Sequence, residues 1–366
     1  MLMPLRRSVF VACAAIASSS LTLGQIAVTA AFGSGCYQQR QSFYELFPTG
    51  TFDLAGTATQ ASGFSMISFG NGYVVLPLLG AWHVDSPAAQ VLQLGDDQIT
   101  TPLPLGFQVP YPGGGASSIQ VGSNGSIYLE SSFDQSFSPS TSALLAGEAR
   151  IVPFWTDLNP NSGGAVTLDL TAGAAFVTFT NVPEFPATGS NTFQVALHAS
   201  GQVDLLYRGC SNVAHPVLVG WSPGRGARDP GGDDLSTRVP STFVTGPDVD
   251  PLTLEGIGRP VMGTTMLLRT SGFPGPIGAL LVIGTTQFAQ GVDLVGIGMS
   301  GCRQYTDLAM VVGVPGTGTT ATLPLAVPSA PVFLGLAVFA QSLALGPGLN
   351  PLGLVTSNGV ALTVGS

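Results

Sequence analysis

The sequence predicts an all-β protein, an antiparallel β-sandwich domain followed by a smaller C-terminal β-sandwich. Three observations predict it. Helical periodicity is scarce, short β-rich runs recur between Gly, Pro, Asn and Asp breaks, and the composition shifts once, across residues 223–251.

Taken in order, the N-terminus reads as an export signal. Arg6 and Arg7 precede an apolar stretch beginning at Val9 to Ile16, and Ala27 to Ala30 (AVTA) offer small residues for cleavage, giving a signal peptide of residues 1–31. Ser18, Ser19 and Ser20 interrupt that stretch, which argues against a membrane-spanning helix. A first β domain is expected over 32–224. Within it AVTLDL, AAFVTFTNV, NTFQVALHA and GQVDLLY (165–207) follow one another with breaks of a few residues, the pattern of an antiparallel meander. STSALLAGEA (140–149) is the one helical candidate, after Pro139. Asn-Gly pairs at 71–72, 124–125 and 358–359 suit tight hairpin turns with positive φ, and HASGQV (198–203) supplies another turn.

Residues 225–251, rich in Arg and Asp and poor in β pattern, are expected to be a surface connector. From Leu252 to the end the chain is nearly uncharged, with runs such as TTMLLRT, IGALLVIG and TATLPLAV that suit a small sandwich over 252–366. PVFLGLAVFAQSLALGPG (331–348) is too short and too interrupted by Gln341, Pro347 and glycines to span a bilayer.

Composition excludes several chemistries. The 366 residues contain no lysine, which rules out a Schiff-base or P-loop lysine. Net charge is −9; without Arg6 and Arg7, nine arginines face 20 carboxylates, or −11. Such a chain has nothing with which to neutralise phosphates, so no nucleic-acid partner is expected. Cys36, Cys210 and Cys302 remain beyond the signal, allowing one disulfide with three possible pairings, and leaving one thiol either buried or available to another molecule.

LPLGFQVPYPGGGASSIQVGSNGSIYL (103–129), ARIVPFWTDLNP with GGAVTLD (149–169), NTFQVALHASGQVDLLY (191–207) and VLVGWSPG (217–224) stand in this order. Together they resemble the nidogen-like extracellular domain over about residues 100–225. The chain is also similar to exported proteins of planctomycete-type bacteria, through GCY (35–37), FDL (52–54) and the ending NPLGLVTSNGVALTVG (350–365). The resemblance implies an extracellular β-rich module of adhesion and matrix proteins, and it brings no catalytic residues. The chain lacks the cysteine-rich growth-factor-like repeats of the animal pattern.

Residue motifs point the same way. GWSPG (220–224) has the G-x-S-x-G form of a nucleophile elbow, but Pro223 removes the usual oxyanion donor, and His83, His198 and His215 all precede Ser222. GIGMSG (296–301) matches G-x-G-x-x-G without the following helix or acid of a dinucleotide site. The histidines lack zinc-site spacing. Asp157, Asp169, Glu184 and Asp204 are candidates for a glycosidase carboxylate pair, although sequence gives no separation.

Asp157, Asn159 and Asn161 stand at alternate positions, as calcium loops begin, yet the twelfth position is Leu168 rather than Glu. The expectation is a strand end and an Asx-stabilised turn, with calcium at these three residues as the alternative. The functional expectation is thus a secreted or cell-surface protein, or a periplasmic one, without catalysis. It would be structural or adhesive and bind an extracellular protein or glycan, with no catalytic residue, no cofactor unless the turn is instead a calcium loop, and no membrane span. The alternatives are a glycan-binding protein using Trp82, Trp155 or Trp221, and a carboxylate-pair hydrolase.

Overall fold

The computed structural model describes residues 24–273, 278–347 and 349–366. It is nearly all β. The chain divides into two compact units, one running from Gln38 to Asp250 and the other joining the N-terminal segment up to Tyr37 to Pro251–Ser366.

In the Gln38–Asp250 unit, two antiparallel sheets enclose one core. The first has six strands, ordered Phe43–Phe47, Val217–Ser222, Arg150–Trp155, Ile127–Tyr128, Gly114–Val121, Leu103–Tyr111. The second has eight. Its centre is the meander Ala174–Glu184, Thr188–His198, Gln202–Arg208, with Ser62–Phe69, Gly72–Pro77 and Phe243–Val244 beyond one side and Ala165–Leu170 and Gln90–Val91 beyond the other.

Side chains alternate across this second sheet, as the pleat requires. Val177, Phe179, Phe193, Val195, Leu205 and Tyr207 all enter the core. The intervening residues Thr178, Gln194, Asp204 and Arg208 make up a polar outer face. The strand Arg150–Trp155 is buried at every position, as its apolar character on both faces predicts. The short helix Thr141–Ala146 begins at Ser140, whose side chain accepts from the Ala143 N–H.

The second unit is a smaller sandwich. A five-stranded sheet, Val28–Phe32, Leu354–Thr363, Ala337–Leu345, Ala279–Gly284, Met310–Val314, packs on a four-stranded one through Leu254, Met266, Leu281, Val360 and Leu362. Cys36 and Cys302 form its disulfide across 266 residues of sequence, and Cys210 is the buried free thiol of the other unit.

Several expectations change. The strand Val28–Phe32 pairs along its whole length with Leu354–Thr363. The end of the expected 1–31 signal peptide therefore falls within this strand. The rest of the expected signal peptide, residues 1–23, lies outside the described residues. The stretch 32–37 belongs to the C-terminal unit rather than to the first domain, held there by that ladder and the disulfide.

Residues 225–250, expected to be a connector, pack into the first unit. Leu235 and Val239 enter its core, and Phe243–Val244 adds a strand to Gly72–Pro77. The hairpin at residue 71 turns on Gly70 and Asn71, with positive φ on Gly70 only. Asn358 is not in a turn at all. It lies inside Leu354–Thr363, where its amide exchanges hydrogen bonds with the backbone N–H and C=O of Leu254.

Candidate functional site

The outer face of the eight-stranded sheet carries the most developed site. The chain after Gly72–Pro77 folds back over this face, and buried polar side chains fix it there. Gln194, fully buried, accepts from the His83 N–H at 2.9 Å and donates to the His83 carbonyl at 3.0 Å and to Thr178 Oγ1 at 2.8 Å. Asp169 accepts from His83 Nε2, the Ser86 N–H and Ser86 Oγ at 2.6–2.9 Å. The His83 ring stacks on Phe176, with 3.8 Å between centroids. Further along, Asp204 accepts from Ser65 Oγ, His198 Nε2 and Gln202, while Ser65 Oγ accepts from the Leu79 N–H.

The hydrogen bonds from His83 and Ser86 hold the Asp169 carboxyl below the usual carboxylate range. Burial pushes Asp204 upward, but its hydrogen bonds from His198, Ser65 and Gln202 outweigh that and hold it low. Both carboxylates are therefore fully engaged as acceptors. They anchor a loop, and their lowered proton affinity is the opposite of what a general acid needs.

The loop so anchored carries Trp82 and borders a pocket of about 540 Å³. Its other walls are Thr178, Thr180, Asn181, Ser190 and Thr192 from the two central strands, and Arg208. The Arg208 guanidinium lies 4.3 Å over the Trp82 ring. Asn181 sits at a β-bulge between Phe179 and Val182 with φ +51°, a conformation that sheets reserve for re-aiming a side chain. Asp85 in the same pocket accepts from Thr167 and Thr178 hydroxyls.

The residues singled out from sequence are dispersed. Asn159 Oδ1 accepts from the Asn161 N–H at 3.0 Å and caps the turn Pro160–Ser162, as an Asx turn does. Asn161 is exposed. Asp157 turns elsewhere. Its carboxylate lies with those of Asp96 and Asp97, with oxygens within 4.8 Å of one another, and no described group donates to it. Burial raises its pKa, and the neighbouring carboxylates add to this against His215.

Asn124 ties the arrangement together by donating to Asp97 and accepting from the Leu158 N–H. Asp157, Asp96 and Asp97 together are one set of carboxylates that could meet a cation. His83, Asp85 and Asp169 also lie within 4.8 Å, but hydrogen bonds already occupy the two aspartates. Glu184 is wholly buried and accepts the N–H groups of Val213, Ala214 and His215, a backbone cradle.

Ser222 is fully buried, bonded to Ser42 and to the Gly224 N–H. Both glycines of its motif have steric causes. A Cβ on Gly220 would lie 2.2 Å from the Phe43 carbonyl oxygen, and one on Gly224 would lie 1.9 Å from that of Gly147. Trp155 and Trp221 are 0% exposed, which leaves Trp82 as the tryptophan able to meet a ligand.

The pocket residues Thr180, Asn181, Ser190, Thr192 and Arg208 were not singled out from sequence. Their signal was present in the period-two alternation of hydroxyl, amide and charged residues with Val177, Phe179, Phe193 and Tyr207.

Fold and site define a class: a β-sandwich module with a preformed polar pocket on a sheet face. Residues 72–224 match the family model described as NIDO related. The match contains the meander, the anchored loop, the pocket walls named above and the stretch around Trp155. No curated protein and no solved structure matches the chain. No helix among the described residues is long and apolar enough to cross a membrane.

Proposed function

We propose that this protein is an exported, non-catalytic structural or adhesive component of the cell surface or extracellular matrix. The nidogen-related match over 72–224 carries the reading. The arrangement of the polar groups supports it. Asp169, Asp204 and Glu184 each spend their oxygens on donors of the fold, and Ser222 has no histidine beside it. The extracellular partner is a protein or a glycan.

A glycan is favoured by a specific observation, the half-buried Trp82 in a pocket rich in hydroxyl and amide groups. Antibody detection on intact producing cells, alongside fractionated medium, tests location and attachment. Retention at the surface or in the matrix is expected. A protein found only in the cytoplasm would contradict the proposal, and so would polysaccharide hydrolysis that disappears in Asp157→Asn.

A further inference from the structure

We propose that the Trp82–Arg208 pocket is a binding site for an acidic sugar, whose oxyanion pairs with Arg208 while its hydroxyls meet the lining of the central strands. This rests on the adhesive reading and gives it a ligand class.

The first ground is an uncompensated cation. Arg208 Nε is buried without a hydrogen-bond partner, and the guanidinium joins no salt bridge among the described residues. In a chain of net charge −9, an arginine left unpaired beside a pocket is notable because carboxylates are plentiful. The one carboxylate lining the pocket, Asp85, is already held by Thr167 and Thr178. A guanidinium with free donors is suited to a carboxylate or sulfate oxygen pair.

The second ground is the rest of the lining. Ser190 and Thr192 hydroxyls bond to Asn181 Oδ1, which leaves Asn181 Nδ2 without a partner among the described residues. A ring of hydroxyls and amides beside one indole is the chemistry that recognises a sugar: hydrogen bonds for its hydroxyls, an apolar face for its C–H groups. The volume of about 540 Å³ lies within the range of small-ligand sites.

The third ground is preorganisation. Gln194 and Asp169 lock the loop bearing Trp82 in place, so little ordering is left for binding to impose. A peptide is disfavoured. The strands Ala174–Glu184, Thr188–His198 and Gln202–Arg208 are each paired on both edges, so no edge is open to strand addition here.

Titration calorimetry of the purified protein with methyl β-glucuronide, methyl β-glucoside and a sulfate ester of that glucoside tests the site. At least one acidic sugar should bind about tenfold or more tightly than the neutral one, as a charge-assisted contact predicts. The tighter of the two identifies the oxyanion as carboxylate or sulfate. Arg208→Gln should reduce the acidic sugar to the neutral level with an unchanged melting curve. Asn181→Gly, which suits the positive φ, should weaken all three sugars without loss of stability. Equal binding of acidic and neutral sugars, binding of none, or binding undiminished in Arg208→Gln would overturn the proposal. If the sugars fail while surface attachment persists, the pocket assignment falls alone. If attachment fails while the acidic sugar binds, only the adhesive role falls.

Discussion

Trp155 and Arg150 lie one over the other at 4.4 Å, both fully buried, and the guanidinium also bonds Asp134 at 2.6 Å. The indole N–H reaches the Ser136 carbonyl. Trp155→Ala removes the ring, its hydrogen bond and the surface on which a buried cation rests. It should cost about 3–5 kcal/mol, read as a fall in denaturation midpoint with unchanged slope. A loss below 1 kcal/mol would contradict the packing described. Asp157 should behave in the opposite sense. Its carboxylate faces those of Asp96 and Asp97 with no donor from the described residues, so in chelator Asp157→Asn should gain about 1 kcal/mol by removing like-charge repulsion. Repeating the melt in millimolar calcium separates repulsion from metal binding, since a bound cation would raise the wild type and leave the variant behind. The burial of Trp155 was legible, because its strand is apolar on both faces. The partner carboxylates of Asp157 were not, because Asp96 and Asp97 arrive from a loop some sixty residues earlier that no local pattern links to it.

Elements defined by alternation were legible as well: the meander over 165–207, the helix after Pro139 and the many short strands of the second sandwich all stand where period and breaks put them. Turns were less legible. Asn-Gly at 358–359 reads as a hairpin locally, yet Asn358 substitutes for a backbone partner of Leu254, a contact across 104 residues. The helix Leu235–Arg238 was hidden for a related reason. A stretch of Asp, Gly and Arg looks like solvent, but Asp234 caps the helix and Glu45, from the strand Phe43–Phe47, accepts the Leu235 N–H at 2.7 Å. Burial pushes the Glu45 carboxyl from 4.5 up to about 7. A carboxyl with raised pKa in the fold holds its proton more tightly there, so the contribution is full below 4.5 and is lost as pH rises towards 7. Glu45→Gln keeps an acceptor for Leu235 and has no proton to lose. Its melting temperature should therefore fall less than that of the wild type across this window; parallel curves would contradict the assignment.

At the scale of the whole molecule, the unit Gln38–Asp250 is an insertion between two parts of the other unit, which the Cys36–Cys302 bond joins covalently. Composition marked the shift near residue 250 but not this return of the N-terminus, because a five-residue strand looks the same wherever it pairs. A protease nick in the exposed Gly226–Asp233 region should consequently leave a full-length band on a non-reducing gel and two fragments on a reducing one. Separation without reductant would place the disulfide elsewhere. The proposed role is attachment outside the cell rather than catalysis. Its most direct test is a binding isotherm of fluorescently labelled purified protein on producing cells, before and after their extracellular matrix is stripped. Saturable binding is expected, falling on stripping and leaving the matrix polymers at their original length. Non-saturable or absent binding, or shortening of those polymers by the protein, would contradict it.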